Sequence, residues 1–164
     1  IMDTAKKVIE LKASDLRIYP TLVIKNTKLE KMFRDGTYMP LSINEAIEQT
    51  TKLILFFENT NINIIRVGLH PSENLITGKD IIAGPFHVSF RQLVMTKIWQ
   101  EKLKKYVPNE YIDKTLIIET VENNLEYVIG YNSSNRNFLK QYYKNVKYKI
   151  NNLLKSNSIN AYIN

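Results

Sequence analysis

The order of strand and helix signals in the first seventy residues limits the possible folds more than any other feature of this sequence. Leu16-Arg17-Ile18-Tyr19 alternates apolar and polar side chains and stops at Pro20, which cannot donate to a ladder. Ile62-Asn63-Ile64-Ile65-Arg66-Val67-Gly68-Leu69 reads as a second strand, ended at His70-Pro71. Two helix starts lie between them. Thr27-x-x-Glu30 and Ser42-x-x-Glu45 are capping boxes, in which hydroxyl and carboxylate satisfy orphan amides. The first opens a short helix through Leu29, Met32 and Phe33 that Gly36 stops; the second opens a longer one with Ile43, Ala46, Ile47, Leu53, Ile54 and Phe57 on its apolar face. Strand, helical crossover and strand make parallel neighbours with a right-handed connection. The expected class is therefore α/β. Two parallel strands cannot close a barrel, so they read as the last two strands of a partial (βα) barrel whose earlier strands lie upstream of Ile1.

The start of the chain points the same way. Ile1 precedes Met2, and the sequence enters a helical pattern over about Asp3 to Lys12, with Ala5, Val8 and Ile9 on one face. This reads as a piece of a longer protein. With 164 residues, 44% of them hydrophobic, it can bury a core. No run of about 18 apolar residues and no leader pattern is present, so no membrane partner is expected and the cytoplasm is the expected compartment. There is no cysteine, which excludes disulfides, thiolate catalysis and any sulfur-held cluster or zinc within these residues. The net charge of +7 comes from 23 basic against 16 acidic residues, much of the excess in Lys97–Lys105 and Arg136–Lys155. Two readings stay open: a solvated basic surface, or a nucleic-acid partner whose counterions such clusters release.

Residues 72–85 hold two of the five glycines and little periodicity, which predicts a linker or active-site loop. Beyond them, 86–164 reads as a small α+β extension. Phe86, Phe90, Leu93, Val94 and Ile98 form a helical stripe, with Trp99 beside it. Thr115–Val121 reads as a strand, Asn123 as the cap of a short helix to Ile129, Gly130 as a break, Asn135–Tyr143 as a helix and Val146–Ile150 as a strand. The tail after Asn151, with Leu153, Leu154 and Ile159, reads as a short fraying helix. The expected organisation is thus 1–71, 72–85 and 86–164.

The stretch Asp15-Leu-Arg-Ile-Tyr-Pro-Thr-Leu-Val-Ile-Lys-Asn-Thr-Lys-Leu29, with Gly36-Thr-Tyr-Met-Pro-Leu41 behind it, resembles the fifth barrel strand and following loop of radical S-adenosylmethionine (SAM) proteins. Ile65-Arg-Val-Gly-Leu-His-Pro-Ser-Glu-Asn-Leu75 and Ala83-Gly-Pro-Phe-His-Val-Ser-Phe-Arg-Gln-Leu93 resemble the sixth strand and C-terminal extension of a bacterial branch related to the Elongator catalytic subunit. Members of that branch are also similar to oxygen-independent coproporphyrinogen III oxidase. The resemblance covers about the first 95 residues.

It implies a partial barrel in which a 4Fe-4S cluster, held by a Cys-x-x-x-Cys-x-x-Cys loop, cleaves SAM to a 5′-deoxyadenosyl radical. That loop is absent here, so cluster and SAM belong to the full-length parent, this piece retains neither, and its first partner is the upstream part of its own chain. In parallel α/β folds ligands sit at the C-terminal ends of strands, which makes Tyr19, Pro20, Arg66, Gly68, Leu69 and His70 the candidate SAM or substrate residues. A glycine there lets a backbone approach the adenine. Arg17 and Arg66 would face a carboxylate or phosphate, or pair with a barrel acid. No catalytic residue is assigned. His70 and His87 lack a third ligand, so no metal site is expected; His70 otherwise ends a strand and His87 caps a helix. The second half resembles the core of a K-homology fold, whose Gly-x-x-Gly turn clamps a nucleic-acid backbone. Gly130 fits the first glycine and Ser133 replaces the second. Gly130, Tyr131, Arg136, Lys140, Lys144 and Lys147 are then the candidate nucleic-acid contacts, with transfer RNA the candidate partner. The alternative is a small cap whose lysines are merely solvated.

Overall fold

The computed structural model describes residues 1–70 and 72–164; Pro71, where the sequence ends its second strand, lies outside the described residues. The chain forms two compact units, Ile1–Val94 and Met95–Asn164.

In the first unit α1 (Met2–Glu10) leads to β1 (Asp15–Ile18), β2 (Val23–Ile24), α2 (Lys28–Arg34), α3 (Ile43–Phe57), β3 (Asn63–Val67), α4 (Glu73–Ile76) and β4 (Ile81–Ala83). β1 and β3 are parallel neighbours, as the crossover spacing requires. Leu16, Ile18, Ile62 and Ile64 pack against Ala5, Leu53 and Phe57, so α1 and α3 share one apolar cluster with this small sheet. The ladder holds a bulge. Leu16 faces Ile64 but Arg17 faces Arg66, leaving Ile65 as the extra residue on β3. α3 begins with a complete capping box: the Ser42 amide donates to Glu45 Oε2 at 2.8 Å and the Glu45 amide to Ser42 Oγ at 3.3 Å.

The Thr27 box closes differently from the sequence reading. The Glu30 amide donates to Thr27 Oγ1 at 3.2 Å, but the Glu30 carboxylate reaches back to the Asn26 amide at 2.6 Å rather than to Thr27. Residues 72–85 hold regular structure. Ser72 caps α4, and β4 pairs antiparallel with β2. A three-residue strand has no period to read, so this pairing is invisible in composition.

The boundary between units falls within α5 (Phe90–Leu103). The second unit adds β5 (Ile112–Thr120), α6 (Leu125–Ile129), α7 (Ser134–Leu139), β6 (Tyr143–Ile150) and β7 (Asn160–Ile163). β5 is the central strand, parallel to β6 and antiparallel to β7. Trp99, Leu103, Leu116, Ile118, Val128, Leu139, Tyr143 and Val146 make its core.

Three expectations need correction. The helix predicted to reach Tyr143 stops at Leu139, because Tyr143 opens β6, is buried, and donates its hydroxyl to the Tyr106 carbonyl at 2.5 Å. The tail is a strand, not a helix: β7 runs along β5, with Leu116 opposite Ile163. The predicted Asn123 cap is instead one turn of 3-10 helix, Glu122–Asn124, with no side-chain cap on α6.

Candidate functional site

The C-terminal ends of β1 and β3 are fastened together by the Gly68 amide, which donates to the Ile18 carbonyl at 2.9 Å. Two clefts open there. Tyr19, 46% exposed, and half-buried Pro20 line one of about 150 Å³ with Tyr38, Leu41, Gln49 and Thr50. Arg66, Gly68 and Leu69 line another of about 270 Å³ together with Arg91. His70 is exposed and lines neither. Five of the six candidates are thus divided between two openings at one end of the sheet, with His70 outside both.

Gly68 has φ +83°, and a Cβ on it would sit 3.1 Å from Phe90 Cβ. Phe90 fills the space beside Gly68, so the chain's own packing already demands glycine here. His87 behaves as a cap, its Nδ1 accepting from the Ser89 amide at 3.0 Å. Sequence reading passed over Arg91 because it sits on a helix well beyond the second strand; the signal that finds it is its place two residues after Ser89, on the first turn.

The residues present do not fit an iron-sulfur cluster. The chain has no cysteine, and among the described residues no three His, Asp or Glu side chains group as metal ligands. Among the described residues, no helix is long and apolar enough to cross a membrane.

In the second unit, Gly130 has φ +86° and ψ 155°, a region that side chains avoid, and a Cβ there would lie 2.7 Å from Ser134 Oγ. Asn132 and Ser133 also have positive φ, +50° and +59°. The corner is braced from inside. Fully buried Asn135 donates to the Thr96 carbonyl at 3.0 Å and the Tyr127 carbonyl at 3.3 Å, and Thr96 Oγ1 accepts from the Tyr131 amide at 2.9 Å.

The structure does not bring all six nucleic-acid candidates together. Arg136 Nε is buried, and its charge acts on the Tyr148 phenol, which burial pushes well above the usual range while Arg136 pulls it back. Lys147 alternates with Val146 and Tyr148 along β6 and so projects from the other face of the sheet. Lys140 is exposed, and Lys144 pairs with Asp113 at 3.1 Å.

The clefts lie at the C-terminal ends of parallel strands, the end at which parallel α/β folds bind ligands. The family described as the Radical_SAM C-terminal domain matches residues 14–100, from just before β1 into α5. The chain belongs to this family, and so to a radical SAM protein. No curated protein and no solved structure matches it.

Proposed function

We propose that the first unit is the closing portion of a radical SAM barrel, with Tyr19, Pro20, Arg66, Gly68, Leu69 and His70 turned toward SAM or substrate. The observation that carries this reading is the parallel β1–β3 pair, whose β1 outer edge is unpaired among the described residues, with clefts at its C-terminal end. An upstream strand would add to that edge, and the cluster-binding cysteines would lie upstream with it. The parent is then a cytoplasmic SAM-dependent enzyme, either an Elongator-like enzyme that modifies transfer RNA or a coproporphyrinogen oxidase-like enzyme. This chain alone is inactive, because reductive cleavage of SAM needs the cluster.

The test extends the chain upstream to the native start, reconstitutes it anaerobically with iron and sulfide, and follows 5′-deoxyadenosine formed from SAM with dithionite. The expected result is nucleoside that disappears when three upstream cysteines are replaced by alanine. A reconstituted protein with no cluster and no cleavage overturns the assignment.

A second reading gives the second unit a K-homology-like role in RNA binding. Ser133 favours it, since this residue, standing where the second glycine would, takes a left-handed conformation of the kind that favours glycine. The bracing by Thr96 and Asn135 serves a purely structural cap equally well.

A further inference from the structure

We propose that Arg17, Arg66 and Arg91 form an anion subsite at the strand ends of the first unit, built to take a phosphate group. The β3 bulge is where the argument starts. By absorbing Ile65 it sets Arg17 directly opposite Arg66, and both side chains are exposed, while Leu16, Ile18 and Ile64 pack in the apolar cluster. Like charges facing each other across a ladder are destabilising. Arg91 adds a third cation, because it lines the same cleft as Arg66, of about 270 Å³, with Gly68 and Leu69 between.

No ion pair among the described residues of the unit neutralises them. Among the described residues its ion pairs are Lys6 with Asp3 and Arg34 with Glu30, and none involves these arginines. The nearest acid in the ladder is Asp15, and its carboxylate is already engaged by Ser14 Oγ at 2.8 Å and Asn63 Nδ2 at 3.0 Å. Those two hydrogen bonds hold its carboxyl below the usual range, with the Arg17 charge only a minor contributor. The backbone beneath the arginines is fixed. Arg17 and Arg66 are on paired strands, and Arg91 follows Phe90, which is 2% exposed and packs on Gly68.

Guanidinium groups present paired donors in a rigid fork that matches the oxygens of an oxyanion. Two of them at one cleft, with Arg17 facing Arg66 across the ladder, suit a phosphate dianion or diphosphate better than a carboxylate, which would leave most of the charge unmatched. The site needs neither cluster nor SAM, so it stands or falls separately from the proposed barrel chemistry.

The test titrates inorganic pyrophosphate with this 164-residue chain and reads binding by phosphorus NMR. The expected result is binding that weakens with salt and drops roughly tenfold or more in R66Q/R91Q, the range for losing charged hydrogen bonds. R17Q should show a smaller drop, and K28Q/K52Q, at exposed positions of α2 and α3, should bind like wild type. Thermal unfolding of each variant accompanies the titration, with R17Q expected to melt no lower than wild type because a like-charged neighbour is removed. If R66Q/R91Q does not fold, R91Q alone, on an exposed helical position, gives the same reading. Unchanged pyrophosphate affinity in the folded arginine variants, or an equal loss in K28Q/K52Q, overturns the proposal. With the site established, displacement of pyrophosphate by a short RNA oligonucleotide assigns the phosphate to a nucleic acid. Failure of RNA to displace it assigns the phosphate to a small phosphorylated molecule.

Discussion

Glu30 illustrates how one side chain can serve several neighbours at once. Its residue is buried, and its carboxylate takes two hydrogen bonds from Arg34, at 2.9 and 2.7 Å, besides the Asn26 amide. The Arg34 bonds first, and then the Asn26 amide, hold its carboxyl below its ordinary 4.5. A folded-state pKa below the unfolded one gives stability that is present above about 4.5 and lost as pH falls through the folded value. Glu30→Gln is therefore expected to lower the thermal midpoint at pH 7, with the gap closing as the buffer is taken below about 4.5; a gap independent of pH would refute this account. The capping motif made Glu30 and Glu45 legible from the sequence. What it left hidden was the partner: a carboxylate at the third helical position is within reach of two consecutive amides, and the turn at Asn26, with φ +62°, decides which one it meets. Arg91 was hidden for a related reason, since no local pattern tells which strand end a helical side chain will overlook.

At the scale of elements, long periodic segments were readable and short ones were not. α3 and the β1–β3 pair carry their own patterns, through the capping box, the apolar stripe and the alternation. The β2–β4 pair and β7 are only two to four residues long, and their strand state comes from the partner they lie beside. The corner between α6 and α7 was legible at Gly130, and the structure explains why glycine is there. Gly130→Ala would place a side chain at φ +86° and ψ 155° and within 3 Å of Asn135 N. The backbone alone makes this cost about 1–3 kcal/mol. Chemical denaturation of the variant checks it, and an unchanged midpoint would mean the corner has relaxed. The buried Asn135 that braces this corner gave no sequence signal, because an asparagine near a helix start reads as an ordinary cap.

For the whole molecule, the matched family covers residues 14–100 and the rest of the chain stands outside it. The sequence resemblance and the family match therefore agree on the first unit, while the second must be tested by its own behaviour. If the K-homology-like reading holds, this chain binds transfer RNA at micromolar concentration, and the logarithm of affinity falls linearly with the logarithm of salt. Fluorescence anisotropy with labelled transfer RNA checks this, and replacing Lys140 should reduce the slope by about one. No binding at low salt would leave the second unit a structural cap. Arg136 is a poor probe of RNA contact, because its buried Nε beside Tyr148 makes any replacement a change to the core as well.

The bulge at Ile65 also governs how this strand can change in length. In a ladder with strict alternation, losing one residue turns every later side chain to the wrong face. Here Ile65 is the surplus residue, 47% exposed, and Ile64 and Arg66 already face Leu16 and Arg17. Deleting either of the adjacent, identical Ile64 and Ile65 gives one and the same chain, with an isoleucine in the apolar cluster and Arg66 beside Arg17. A β3 one residue shorter at this point can therefore keep the same strand ends.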